Sequence, residues 1–249
     1  IIEKNLSPET NVEYEKDIDI IGYENLNKIE YDNFMYIGKG KGDTVEKIID
    51  KDNPIKTCYF LKPEYMKQMG MDRMGIIPQV LEHLLDARTA TKVKMKKETD
   101  DFKKKVLDGV QLAYKITANS VYGQLGASTS TIYKMNIAAC TTSIGRQRID
   151  DASNGVKDWA KKKGYEEPDI VYGDTDSVFV KFSRIKQNRL LEGKEALEHC
   201  IKCGIEAGDY ISKGELILDD KIVKSKPLLN KPQDLEYVKT FWPFILISK

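Results

Sequence analysis

Two carboxylates one residue apart, Asp174 and Asp176, stand in the stretch Tyr172-Gly173-Asp174-Thr175-Asp176-Ser177. Charges this close repel and raise a carboxyl pKa unless a cation neutralises them. Magnesium suits such a pair, because it takes a few carboxylate oxygens and completes its shell with water and phosphate. A calcium loop of the EF-hand type does not fit, since Phe179 and Ile185 stand where that loop needs its Gly and its final Glu. The alternative without a metal is a turn whose Asp side chains cap the backbone.

Lys115, Asn119 and Tyr122, spaced i, i+4, i+7, share one helix face, where the spacing alone reads as a solvated or core role. Arg88, Lys92 and Lys96 repeat at i, i+4, i+8 and form a basic stripe. The formal net charge of +1 hides an uneven distribution: residues 1–60 hold 13 acidic and 8 basic side chains, whereas residues 86–115 hold 9 basic and 5 acidic. A basic stretch beside acidic ones suits contact with a polyanion, although a solvated helix face gives the same pattern.

Other chemistries are excluded. With two histidines, His83 and His199, neither a multi-His metal site nor a Ser-His-Asp centre is expected. Four cysteines are too few for a disulfide scaffold at this length, and His199-Cys200 with Cys203 lacks the second pair a zinc site needs, so buried thiols are the expectation. The Gly38–Asp43 tract matches neither phosphate-loop register and reads as a solvent loop.

The elements that must position these residues follow from periodicity. The spacing predicts a helix over 75–97, with Pro78 in its first turn and Ile77, Val80, Leu81, Leu84, Thr91 and Met95 at helical intervals. A second helix is predicted from Phe102 to Val121, ended by Gly123 and Gly126, and the pair forms an antiparallel hairpin. Helices are expected again over 136–163, closed by Gly164, and over 193–213. Ile170-Val171-Tyr172 and Ser177-Val178-Phe179-Val180 flank the carboxylates as a β-hairpin. The apolar tail 241–247 reads as a strand from its β-branched and aromatic content. Residues 1–56 are polar and broken. Strands with segregated helices give an α+β class. No apolar run approaches a membrane span, and no membrane partner is expected.

The stretches Tyr172-Gly173-Asp174-Thr175-Asp176-Ser177 and Lys115-Ile116-Thr117-Ala118-Asn119-Ser120-Val121-Tyr122-Gly123 resemble motifs C and B of the B-family (alpha-like) DNA polymerases. Arg88-Thr89-Ala90-Thr91-Lys92 is similar to the family's finger helix, and residues 1–10 to the segment just after motif A, D-x-x-S-L-Y-P-S. Residues 235–249 are similar to the strand entering the family's K-K-R-Y element. The form is closer to delta-like and large-DNA-virus polymerases than to protein-primed ones.

The resemblance implies an open, mostly antiparallel palm sheet backed by helices, residues 1–74 and 128–249, and a two-helix fingers hairpin, residues 75–127. It implies template-directed nucleotidyl transfer from dNTPs to a primer 3′-hydroxyl, with two Mg2+ ions in the full-length enzyme. Asp176 is then a catalytic metal ligand and Asp174 a second carboxylate of the site. Lys115, Arg88 and Lys92 bind the triphosphate, and Asn119 and Tyr122 line the nascent base-pair pocket. Primer–template DNA is the implied partner, with a sliding clamp engaged through regions outside these residues, in the nucleus or a viral replication compartment. The absence of an initiator Met and of motif A marks an excised middle that by itself extends no primer. A non-catalytic nucleic-acid-binding relative is the alternative.

Overall fold

A computed structural model describes residues 1–38, 45–174, 176–186, 189–218 and 221–245, with the side chains of 35–38, 45–47 and 186 left aside. The Gly38–Asp43 tract therefore lies largely outside the described residues. In chain order the elements are β1 (Asn11–Val12), α1 (Glu15–Ile21), β2 (Leu26–Asp32), β3 (Phe34–Gly38), β4 (Val45–Ile49), β5 (Ile55–Leu61), α2 (Pro63–Gln68), α3 (Ile76–Lys97), α4 (Asp101–Gly126) and α5 (Met135–Lys162). Then follow β6 (Asp169–Asp174), β7 (Ser177–Lys181), β8 (Ile185–Lys186), β9 (Arg189–Leu190), α6 (Gly193–Lys213), β10 (Glu215–Leu218) and β11 (Lys221–Lys224). Long helices thus combine with small antiparallel sheets. Among the described residues no helix is long and apolar enough to cross a membrane.

Two compact units divide at residues 144 and 145. In the first, a three-stranded sheet has the order β1-β5-β2 and buries apolar residues on each face, while Lys28, Glu30 and Asp32 of β2 stay exposed. Successive strand residues point to opposite faces, so the cross-strand partners Leu26 and Leu61 face one side, where Ile18 of α1 and Met66 of α2 cover them. Ile29 and Phe60 face the other and pack with Leu6, Leu125, Ile137, Cys140 and Ile144. Helix α4 runs back along α3 after a connection of three residues, with Asp100 as its N-cap accepting from the Phe102 and Lys103 amides at 2.8 and 3.0 Å.

In the second unit, Ala196, His199, Cys203, Glu206, Ala207, Tyr210 and Ile211 recur at helical spacing and form the buried face of α6. Trp159, Val156 and Ala160 of α5 complete that core with Leu216 and Leu229. Lys163 and Glu206 form a buried ion pair at 2.9 Å, and the same Lys Nζ donates to the Ile217 carbonyl at 2.6 Å. Gly214 ends α6 in the left-handed region, φ +70°, where a Cβ would stand 2.0 Å from the Ser225 carbonyl oxygen.

Three expectations change. Helix α4 continues through Gly123 to Gly126, because the fully buried Leu125 anchors its last turn. Residues 241–245 are not a strand: Phe241 and Phe244 stack on Phe179, at centroid distances of 5.8 and 5.5 Å, and Pro243 has no amide to donate to a ladder. The broken-looking leader contains most of the first unit's sheet.

Candidate active site

The carboxylates sit where the β6–β7 hairpin turns. Asp174 pairs with Ser177 across the strands, and the Asp176 amide donates to the Asp174 carbonyl at 2.6 Å. Both Asp residues are exposed. Each has a local hydroxyl donor: Tyr172 Oη to Asp174 Oδ2 at 3.3 Å, and Ser177 Oγ to Asp176 Oδ1 at 3.2 Å. These bonds leave further carboxylate lone pairs open to a cation.

The hairpin is held from behind. Tyr172 meets its cross-strand partner Phe179 edge to face at 5.6 Å, and Phe179 carries the stacked rings of Phe241 and Phe244. Gly173 lies so near α5 that a Cβ would press on Ile149 Cγ2 at 3.2 Å. The turn therefore grows from strands seated on a helix and an aromatic stack, the kind of rigid support a charged turn needs.

Hard oxygen donors on an exposed turn fit a divalent cation such as magnesium. Among the described residues no group of three His, Cys, Asp or Glu side chains is placed to hold a metal ion. The hairpin offers a partial donor set, one that water, phosphate or a further carboxylate would have to complete.

The remaining predicted residues belong to the first unit. On α4 the half-buried seam is Gln111, Tyr114, Ala118 and Val121, followed by buried Leu125. Lys115, Asn119 and Tyr122 fall outside that seam and are exposed together. Tyr122 is fixed by a 2.8 Å hydrogen bond between its hydroxyl and that of Thr142. The α3 stripe is not uniform. Lys92 and Lys96 are exposed, whereas Arg88 is half-buried and its Nε donates to Gln111 Oε1 at 3.2 Å. The hydrogen bond sets the arm of Arg88 one helical turn before Lys115 along α4. The sequence signal for Gln111 is its place four residues before Lys115, and nothing local singles out Thr142.

The sequence model of DNA polymerase family B matches residues 1–205. This chain belongs to DNA polymerase family B. It is 39% identical over 206 residues to the DNA polymerase delta catalytic subunit of Candida albicans, covering 79% of this chain and 18% of that one. It is 34% identical over 272 residues to a DNA polymerase of Pyramimonas orientalis virus, covering 91% and 20%. The delta catalytic subunit of Oryza sativa is 40% identical over 192 residues, 76% of this chain and 15% of that protein. The chain thus spans about a fifth or less of the length of these family B relatives. A family B DNA polymerase structure from Pyrobaculum calidifontis aligns with 64% of this chain and 21% of its own, at 29% identity and a TM-score of 0.39.

Proposed function

We propose that these residues form part of a DNA-directed DNA polymerase that transfers nucleotides from dNTPs to a primer 3′-hydroxyl. The observation that carries the reading is the exposed Asp174–Asp176 turn in a chain of DNA polymerase family B. Asp176 and Asp174 would hold magnesium, which when bound clamps the attacking and leaving oxygens of an in-line displacement.

The protein's own residues do the rest. Lys115, Lys92 and Arg88 offer cationic groups to a triphosphate, and such groups act by position and charge more than by proton transfer. Asn119 and the tethered ring of Tyr122 line the pocket for the nascent base pair, where a ring packs against sugar or base without regard to sequence. Residues 75–127 act as fingers and residues 1–74 and 128–249 as palm, with the fingers closing over a correct nucleotide. Primer–template DNA is the macromolecular partner. A sliding clamp is engaged through other regions, and the work is done in the nucleus or a viral replication compartment.

The test is Asp176→Ala in the complete natural protein carrying these residues. Primer extension should fall by about a thousandfold or more while primer–template affinity stays within about twofold. Unchanged extension would remove Asp176 from the site. A wild-type protein that binds DNA yet extends no primer would point to a non-catalytic binding relative.

A further inference from the structure

The base of α3 is capped by side chains lying about seventy residues earlier in the chain. Its N-cap is Gly75, which has no side chain to offer. The Gly75 amide instead donates to Asn5 Oδ1 at 2.7 Å, the Ile76 amide to Glu9 Oε1, and the Ile77 amide to Ser7 Oγ at 3.3 Å. The next residue, Pro78, has no amide hydrogen, and the Gln79 amide makes the helix's first internal bond, to the Gly75 carbonyl at 3.1 Å. Every donor at this helix start is therefore satisfied, three of them by alternate residues of one loop.

That loop is itself rigidly placed. Asn5 and Ser7 are fully buried. Asn5 adopts φ 55°, a left-handed conformation that Asn tolerates better than most residues. Its Nδ2 donates to the Leu61 carbonyl at the end of β5 at 2.8 Å. Thr10 Oγ1 closes the loop against the Ser7 and Asn5 carbonyls. Gly75 is what lets the helix start approach, since a Cβ there would lie 2.5 Å from Ser7 Cβ. Glu9 adds a negative charge at the positive end of the α3 dipole.

We infer that Asn5, Ser7 and Glu9 are positioning residues for nucleotide binding: they fix the base of α3 and thereby place Arg88 and Lys92. The inference rests on the reading of Arg88 and Lys92 as triphosphate ligands. Arg88 lies twelve residues beyond Ile76, roughly 18 Å along the axis, so a tilt of about 5° at the base moves it roughly 1.5 Å. A displacement of that size is enough to weaken a charge clamp.

Glu9 is the residue to test, because it is exposed; besides the Ile76 amide, its Oε1 accepts from the Ser7 hydroxyl at 2.7 Å, a bond that Glu9→Gln can keep. In the complete natural polymerase carrying these residues, single-nucleotide incorporation would be measured for Glu9→Ala, Glu9→Gln, Arg88→Ala and the double variant Glu9→Ala/Arg88→Ala. For Glu9→Ala the KM for dNTP should rise about fivefold, the size of a lost N-cap acceptor, with kcat and primer–template affinity within about twofold. Glu9→Gln keeps an acceptor oxygen and should recover most of that loss. The double variant should lose less than the sum of the two single losses, the remainder being the part the cap exerts through Lys92. A raised KM for Arg88→Ala with none for Glu9→Ala would overturn the positioning role and leave the nucleotide site standing. No change for Arg88→Ala would overturn the site reading on which the inference stands. Additive losses in the double variant, or an equal loss of DNA affinity, would make the cap merely structural.

Discussion

The α3–α4 hairpin and the α5–α6 core solve opposite problems with the same element. Helix α6 buries nine of its 21 residues, against Trp159 and its neighbours. Helix α3 buries three of 22, and α4 one of 26. Val93, Phe102, Val106, Val110 and Ile116 are exposed on the hairpin. A helix held mainly by one thin seam has few buried contacts to lose when it moves, whereas one locked in a core does not shift without unfolding. The residues proposed for nucleotide binding sit on the thinly held pair, where a closing motion costs little. The carboxylate turn grows from strands backed by α5 and a ring stack, where displacement costs more.

The largest expected effect tests the rigid side. Trp159 is fully buried between Tyr165 and Phe182, edge to face with each at 5.7 and 5.9 Å. Trp159→Ala should destabilise its unit by roughly 3–5 kcal/mol, read as a lower urea midpoint. Met95→Ala on the half-buried seam of α3 should cost about 1 kcal/mol by the same measurement. Comparable losses at the two sites would erase the contrast between core and hairpin.

Hydrogen exchange gives a finer version. Amides of α6 from Cys203 to Ile211 should exchange only through large-scale opening, while the outer turns of the hairpin, 88–97 and 101–112, should exchange through local opening at least about tenfold faster. A dNTP with a correct primer–template should slow the hairpin amides and leave α6 unchanged. If α6 responds instead, the moving element has been misplaced.

This contrast was partly legible in the sequence. Helices over 75–97, 136–163 and 193–213 appear at Ile76–Lys97, Met135–Lys162 and Gly193–Lys213, because their periodicity and their stopping signals are local. Gly164, the expected stop after 136–163, does adopt positive φ. The β1-β5-β2 sheet was not legible. Its strands are short, β2 and β5 pair across an intervening hairpin, and each face carries some buried residues. Leu26 and Ile29 therefore face opposite layers and give no period-two alternation. The carboxylate turn was readable from six residues. The hydrogen bond from Arg88 to Gln111 and the remote cap on α3 were not, because each is a long-range pairing of residue types common on any surface.

The smallest effect sharpens the comparison within the first unit. Tyr31 packs half-buried against the Ile29–Phe60–Cys140 layer. Burial, and then the neighbouring Cys58 and Cys140 thiols, push its phenol up to about 12 from an ordinary value near 10. Below pH about 10 the phenol is neutral in both folded and unfolded chains, so nothing is lost. Between pH about 10 and about 12 the unfolded chain gives up the proton more readily, and stability must fall as pH rises. Solvent screening at a half-exposed ring holds that loss to about 1 kcal/mol. Urea midpoints taken at about pH 9 and about pH 11.5 should converge for Tyr31→Phe relative to wild type, since the variant has no phenol to titrate. Because Tyr31 belongs to the sheet layer, hydrogen exchange in the outer turns of the hairpin should be alike in variant and wild type at each pH. A Tyr31→Phe change that altered the hairpin would show that the thin seam and the sheet core open as one unit, and the contrast between them would fail.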